Sequence, residues 1–264
     1  NMANVSGASE NRIQIMGIIN STPDSFHEAS RSGDVERAMR MVDEGADWID
    51  IGGESTRPGA KKISIEEELS RVIPIVKEVS KFCNVSIDTK NFEVAKAALE
   101  SGAIMINDVS GLRDERMRNL VIEKKCYVCI MHMQGEPENM QENPDYGDVV
   151  EEVSQYLLDK ANDLVENGHP SEKIYLDPGI GFGKNLEHNI ELLQSSSKLR
   201  PFKILWGVSR KSLIGEICNQ TKTDDRLAGT LAIAAYAHQQ EIEILRVHDV
   251  REHKDMISVL EAIN

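Results

Sequence analysis

The sequence is poor in the features that mark membrane, disulfide-rich and nucleic-acid-binding proteins. No apolar run approaches the roughly 18 residues that cross a bilayer, and residues 1–12 are polar, without the apolar core of a signal peptide. Basic residues are outnumbered by acids, and the net charge of −14 disfavours nucleic acid or an anionic membrane as a partner. Taking Met2 as the natural start, we expect a cytoplasmic protein.

Cysteine is also scarce, and the four cysteines do not form a pattern typical of a metal site or a disulfide framework. Cys126 and Cys129 make a C-x-x-C, but it lies in a strand-like run, where residues three apart point to opposite faces. A zinc or redox pair is therefore disfavoured. Buried thiols in a reducing compartment are the better interpretation.

What the sequence does contain is a regular alternation of short apolar runs and helical patterns. About eight such units, with no linker-like stretch between them, predict an α/β fold: a closed (β/α)8 TIM barrel with parallel strands and right-handed crossovers. Asp34 and Asp148 are expected to be helix N-caps. We expect a polar N-terminal tail at 1–12 and a single barrel domain at 13–264.

A polar residue stands at or just beyond the carboxyl end of every predicted strand. These residues are Asn20, Asp50, Asp88, Asn107, His132, Asp177, Ser209 and His248. A single polar strand end is usually a helix cap, but a complete ring of them is difficult to explain by capping. The carboxyl ends of the strands form the face where barrel enzymes hold their active sites.

Four residues from different units, Asp88, Asn107, Asp177 and Lys211, can converge only if the barrel closes. Two carboxylates and an amide suit a heterocycle with amidine-like N–H edges, because a carboxylate accepts two parallel N–H bonds. The lysine would bind a ring oxygen or nitrogen on the other side. The alternative is that Asp88 and Asp177 merely cap the following helices.

The glycine-rich run 179–184 is one residue too short between its glycines for a P-loop and lacks the following Ser or Thr, so an ATP site is rejected. Its glycines are expected to let backbone approach a flat ligand beside Phe182.

Arg57, Arg210, Lys211 and Arg246 make a local basic site on an acidic protein. The last two strand ends are expected to hold an anion, helped by a helix that begins after Ser209, unless these residues are ordinary surface charges.

The segment after the first strand, Asn20 to Phe26, is a polar loop with one aromatic, typical of a lid. The Asn20 side-chain oxygen suits Mg²⁺. Met131 and Met133 are expected to form an adaptable wall for a flat ring. His132 between them could be a ligand, although a lone histidine is more often structural.

Taken together, these residues resemble the dihydropteroate synthase family of pterin-binding β/α barrels, which are folate-pathway enzymes and sulfonamide targets. The resemblance covers nearly the whole chain. It is carried by motifs in the family's order: T-P-D-S-F, D-I-G-G-E-S-T-R-P-G, S-I-D-T, I-N-D-V, M-H-M-Q-G, D-P-G-I-G-F-G-K, S-R-K-S and R-V-H-D-V.

The resemblance implies condensation of 7,8-dihydropterin-6-ylmethyl diphosphate with 4-aminobenzoate to 7,8-dihydropteroate and diphosphate, with Mg²⁺, by a homodimer. It also implies residue roles. The pterin would be bound by Asp88, Asn107, Met131, Asp177 and Lys211; the diphosphate by Asn20, Thr56, Arg57, Arg246 and His248, with Asn20 at the metal; and the aminobenzoate by Phe26, Pro58, Phe182, Lys211 and Ser212. Asp88, Lys211 and Arg57 would serve the chemistry.

Two departures and two alternatives accompany this interpretation. The family usually continues the first loop with Ser-Asp-Gly-Gly where this chain has residues 27–30, and Ser21 stands where valine is common. A methyltetrahydrofolate–corrinoid methyltransferase would share the barrel and the pterin carboxylates but would not need the S-R-K-S and R-V-H-D-V cations. A non-catalytic pterin-binding module would lack the diphosphate set, which is present here.

Overall fold

A computed structural model describes residues 12–21, 28–55, 61–135, 140–141 and 144–264, with only the backbone of residues 28 and 29. Eight parallel strands close into a barrel in sequential order, which confirms the predicted fold. The strands are β1 (Gln14–Asn20), β2 (Trp48–Gly52), β3 (Asn84–Asp88), β4 (Met105–Asp108), β5 (Tyr127–Met131), β6 (Ile174–Asp177), β7 (Lys203–Trp206) and β8 (Ile244–Val247). Of the expected tail, residues 1–11 lie outside the described residues.

Helices follow the strands and surround the barrel. Those in the described ranges are α1 (Glu28–Asp43), α2 (Ile65–Val79), α3 (Phe92–Glu100), α4 (Glu115–Lys124), α5 (Val149–Glu166), α6 (Leu186–Gln194), α7 (Ser212–Cys218), α8 (Leu227–Gln239) and α9 (Val250–Ile263). Within the described part of the chain, no helix is both long and apolar enough to cross a bilayer.

The two predicted N-caps have different outcomes. Asp148 caps α5, because its side chain accepts the backbone N–H of Glu151 at 3.1 Å. The prediction for Asp34 is wrong, because α1 begins at Glu28 and Asp34 lies inside it. There the Asp34 side chain is buried and pairs with Arg37, one turn along the helix, at 2.5 Å.

Two layers of apolar side chains hold the barrel. Alternate strand residues fill the interior with the cluster Met16, Trp48, Met105, Cys129, Tyr175, Leu205 and Ile244. The residues between them point outward and pack against the helices. Cys126 belongs to the outer layer and Cys129 to the interior, and both are free thiols, as the strand periodicity predicts.

The interior layer ends toward the carboxyl ends of the strands, where polar residues take over the inward positions. On β2, Trp48 belongs to the interior cluster, and Asp50 and Gly52 follow at the same face. On β8, Ile244 belongs to that cluster, and Arg246 follows. The interior apolar cluster therefore forms the floor of a polar opening at the carboxyl ends of the strands, which is called the barrel mouth below.

Candidate active site

Side chains from neighbouring strands meet at this mouth. Asp88 of β3 pairs in register with Asn107 of β4. Met131 of β5 pairs with Asp177 of β6. Gly52 of β2 lies beside Asp88, and a Cβ atom at residue 52 would be 3.2 Å from the Asp88 carboxylate. The missing side chain therefore leaves room for that carboxylate.

Arg246 joins these acids from β8. Its Nε donates to Asp50 Oδ2 at 2.6 Å, and its Nη2 donates to Asp88 Oδ2 at 3.3 Å. Burial, and then the negative charge of Asp50, raise the pKa of Asp88, while Arg246 opposes the shift. Within the described residues Asp88 Oδ1 is buried without a hydrogen-bond partner. A buried acceptor of this kind is suited to an N–H donor on a ligand.

The capping interpretation of the two strand-end aspartates does not hold. The N-cap of α3 is Asn91, and that of α6 is Asn185, whose side chain accepts the N–H of His188. Asp177 Oδ1 instead accepts the Gly179 N–H at 2.9 Å, in the turn directly after β6. Both aspartates are buried at the barrel mouth, as a binding role requires.

Lys211 lies near Asp177 and is partly buried. Its Nζ donates to the Ile180 carbonyl at 2.5 Å and lies 4.5 Å from the centre of the Phe182 ring. Burial lowers the pKa of Lys211 to about 8, and the charge of Asp177 works against this shift. The lysine therefore contacts the glycine-rich segment after β6. Its pKa lies much closer to neutral pH than that of an ordinary lysine.

An apolar wall flanks the polar groups. Val109, Met131, Met133 and Met140 form one buried cluster, and Phe182 packs against it. The two methionines expected to line a flat ligand thus lie together beside an aromatic ring. Flexible thioethers beside a ring suit a flat ligand whose edges bind the carboxylates.

The glycines at 179 and 183 permit close contact with the chain after β5. A Cβ at Gly179 would lie 1.8 Å from the His132 carbonyl oxygen, and one at Gly183 would lie 2.5 Å from that of Gln134. The approach of this run to a flat ligand stays a prediction. Gly181, however, faces the Lys211 side chain, which a Cβ would meet at 3.3 Å.

Lys184 completes this packing. Its ammonium lies 3.0 Å from His132 Nδ1, 3.3 Å from the His132 carbonyl and 2.8 Å from the Phe182 carbonyl. Burial lowers the pKa of Lys184 to about 7. Burial and then the Lys184 charge lower the pKa of His132 to about 3, so the imidazole is neutral. His132 is therefore structural here, joined to the segment after β6.

The segments after β7 and β8 are joined by side chains. Ser209 Oγ lies 2.8 Å from His248 Nδ1. Arg210 makes two bonds to Asp249, from Nε at 3.1 Å and from Nη2 at 2.7 Å, so it bridges the two segments. Ser212 is exposed as the first residue of α7. The helix expected after Ser209 is present, but Arg210 is already paired with an acid.

The remaining predicted residues lie at or after the ends of β1 and β2 in the sequence. Asn20 ends β1 with an exposed side chain at the mouth. Phe26, Thr56, Arg57 and Pro58 lie outside the described residues. Over the described ranges, no group of three His, Cys, Asp or Glu residues is placed to hold a metal.

Two residues that organise the site make contacts that the sequence does not predict. Asp50 belongs to the predicted ring of polar strand ends, but its full burial and its pairing with Arg246 are evident only in the structure. Lys184 ends the glycine-rich run, and its contact with His132 is likewise evident only in the structure. The available signal for Asp50 was its spacing, because it shares the inward face with Gly52 and a carboxylate buried there requires a cation.

Residues 16–248 match the family described as "Pterin binding enzyme". The chain belongs to this family of pterin-binding enzymes. Its relatives are dihydropteroate synthases: that of Escherichia coli K12 is 43% identical over 94% of this chain and 90% of its own.

Solved dihydropteroate synthases share the fold. The Yersinia pestis structure, with a sulfonamide drug complex, has a TM-score of 0.89 and 39% identity, covering 96% of this chain and 94% of its own. The Burkholderia cenocepacia structure, complexed with 7,8-dihydropteroate, has a TM-score of 0.88 and 42% identity, covering 96% and 91%.

Proposed function

We propose that this chain acts as a dihydropteroate synthase in folate biosynthesis. It condenses 7,8-dihydropterin-6-ylmethyl diphosphate with 4-aminobenzoate and releases 7,8-dihydropteroate and diphosphate. The observation that carries the proposal is the convergence of Asp88, Asn107, Asp177 and Lys211 at the barrel mouth. The relatives' 43% identity over nearly the full chain supports the same activity.

The pterin would lie among these groups. Its N–H edges would donate to the carboxylates of Asp88 and Asp177 and to the Asn107 carbonyl, all of them buried acceptors at the barrel mouth. Lys211 would donate to the ring carbonyl. Met131 would pack against one face of the ring.

The diphosphate would lie toward β8, where Arg246 and His248 offer positive charge and an N–H donor. Thr56 and Arg57, from the second loop, would complete this set. Mg²⁺ would neutralise the leaving group, and Asn20 fits as one ligand because its exposed amide stands at the mouth. Since Mg²⁺ commonly takes few protein ligands together with phosphate oxygens and waters, a single amide is compatible with it.

The aminobenzoate would lie over Phe182, with its carboxylate at Lys211 and the exposed start of α7 at Ser212. Phe26 and Pro58, from the first two loops, would cover its ring. This arrangement directs the amine toward the pterin methylene carbon.

In the reaction, the carbon–oxygen bond to diphosphate breaks with its electron pair leaving on the oxygen, and the amine nitrogen bonds to the methylene carbon and loses a proton. An arylamine is already nucleophilic, so no strong base is needed. Asp88 would stabilise positive charge that develops on the pterin, a role favoured by its unpartnered Oδ1. Lys211 and Arg57 would offset the negative charge of the departing group and the carboxylate.

A diphosphate-release assay tests the proposal. With the pterin diphosphate and Mg²⁺, release should require 4-aminobenzoate, and a sulfonamide should inhibit in competition with it. Release that is independent of 4-aminobenzoate, or inhibition that excess 4-aminobenzoate does not relieve, would count against the shared site.

We further propose a homodimer in the cytoplasm, without a nucleic-acid or membrane partner. The dimer is implied by the family resemblance, and exposed apolar side chains on α7 and α9, Ile217 and Val259, are compatible with it. Sedimentation velocity at micromolar concentration should give twice the 29.5 kDa chain mass. A single species at the chain mass would contradict it.

A further inference from the structure

Asp50 is an ionisable residue in the barrel interior that takes no part in the proposed reaction. Its side chain is fully buried on β2, between the apolar floor at Trp48 and the mouth at Gly52. Removing a carboxylate from water is costly unless the charge is paired and hydrogen-bonded. Such a position on an interior strand calls for an explanation beyond packing.

The partners of Asp50 lie on opposite sides of the candidate site. Its Oδ2 accepts from Arg246 Nε of β8 at 2.6 Å and from Asn107 Nδ2 of β4 at 3.3 Å. The distance from Arg246 to Asp88 is longer, at 3.3 Å, so the ion pair of Arg246 with Asp50 is the shorter of its two. One buried oxygen therefore fixes both the arginine proposed for diphosphate and the amide proposed for the pterin.

The contact with Asn107 also determines which way the amide faces. A carboxylate only accepts hydrogen bonds, so the amide must turn its NH₂ group toward Asp50. Its carbonyl oxygen is then left for the ligand. Without the carboxylate, the amide can flip and turn its NH₂ group toward the ligand, and a pterin whose 2-amino edge donates hydrogen bonds would then lose an acceptor.

We infer, on the basis of the proposed function, that Asp50 is a positioning residue that orients Asn107 as an acceptor for the pterin amino group and anchors Arg246. It does not touch the substrate. It makes the site selective for a 2-aminopteridine over its 2-oxo analogue, because the oxo group offers no N–H donor to the carbonyl that Asp50 orients.

The test compares the affinity for 6-hydroxymethylpterin with that for the 2-oxo analogue, 6-hydroxymethyl-lumazine, by titration calorimetry. The Asp50→Leu variant keeps the branched shape of the side chain and removes the oxygen that accepts from Asn107 and Arg246. We expect its preference for the amino compound to fall about tenfold, the effect of about one hydrogen bond. Asp47→Leu is the matched control: Asp47 precedes the same strand at the other end of the barrel and pairs with Arg12. Its preference should equal that of the wild type.

A second variant keeps the inference testable if Asp50→Leu does not fold. Asn107→Ala should lower the amino-over-oxo preference by a similar factor, and Asp50→Leu in that background should lower it no further. An unchanged preference in either single variant with a native melting temperature would overturn the inference. Wild type that binds neither pteridine would refute the proposed function instead, so the two failures are distinguishable.

Discussion

Asp177→Asn gives a direct test of the pterin site. Asp177 Oδ1 holds the Gly179 N–H at 2.9 Å, and Oδ2 has no hydrogen-bond partner among the described residues. In the variant the amide oxygen would keep the Gly179 contact, because that buried N–H needs an acceptor. The NH₂ group would then face the N–H edge of the pterin, so a donor would meet a donor.

The expected loss follows from that geometry. One charge-assisted bond to the ligand disappears while the turn after β6 stays intact, which corresponds to about 1–3 kcal/mol of pterin binding. At about 1.4 kcal/mol per tenfold, this is roughly a 5-fold to 100-fold weaker affinity. Titration calorimetry with 6-hydroxymethylpterin measures it directly.

Asp108→Asn supplies the control. Asp108 is also buried at a strand end, but its carboxylate accepts backbone N–H groups of Ser110 and Leu112 in its own segment. Its loss should lower the melting temperature and leave pterin affinity within about twofold. Equal affinity in wild type and Asp177→Asn would refute the assignment of Asp177 as a pterin acceptor.

Three further predictions concern charge and space around the site. Lys211 has a lowered pKa of about 8, so its protonated form is lost as pH rises through that value, and the KM for 4-aminobenzoate should increase between pH 7 and 9.5; a constant KM would contradict its role. Gly52→Ala should push the Asp88 carboxylate and weaken pterin binding several-fold in calorimetry, whereas Gly147→Ala, with open space around it, should not; equal affinities would exclude this steric account. Burial lowers the pKa of Lys184 from its ordinary value of 10.5 to about 7 in the folded protein. Between these two pKa values the unfolded chain binds more protons than the folded one, so stability rises with pH. Urea titrations should therefore show the free energy of unfolding of the wild type, relative to that of Lys184→Met, rising from pH 7 to 9. A difference that does not change with pH would contradict this.

The barrel could be predicted because its signals are local. Apolar runs alternate with helical patterns, and each polar strand end is visible in a few neighbouring residues. The start of α1 could not, because Ser30 and Gly33 are poor helix formers and Asp34 resembles a cap. The pairing of Asp34 with Arg37 inside the helix depends on the burial of Asp34, which cannot be predicted from the neighbouring residues in the sequence.

The buried contacts between polar side chains could not be predicted either, since their members are far apart in the chain. Asp50 and Arg246 are separated by 196 residues, and Lys184 and His132 by 52. Both pairs require the closed barrel before they can be recognised. The site prediction therefore identified residues that face the ligand space more readily than the residues that hold them in place.

The central claim is that this barrel joins a pterin to an arylamine. Mass spectrometry of the products, after mixing purified protein with the pterin diphosphate, 4-aminobenzoate and Mg²⁺, tests it most directly. The account predicts 7,8-dihydropteroate in an amount equal to the diphosphate released. Absence of that product, with methyl transfer from methyltetrahydrofolate to a corrinoid protein instead, would contradict it.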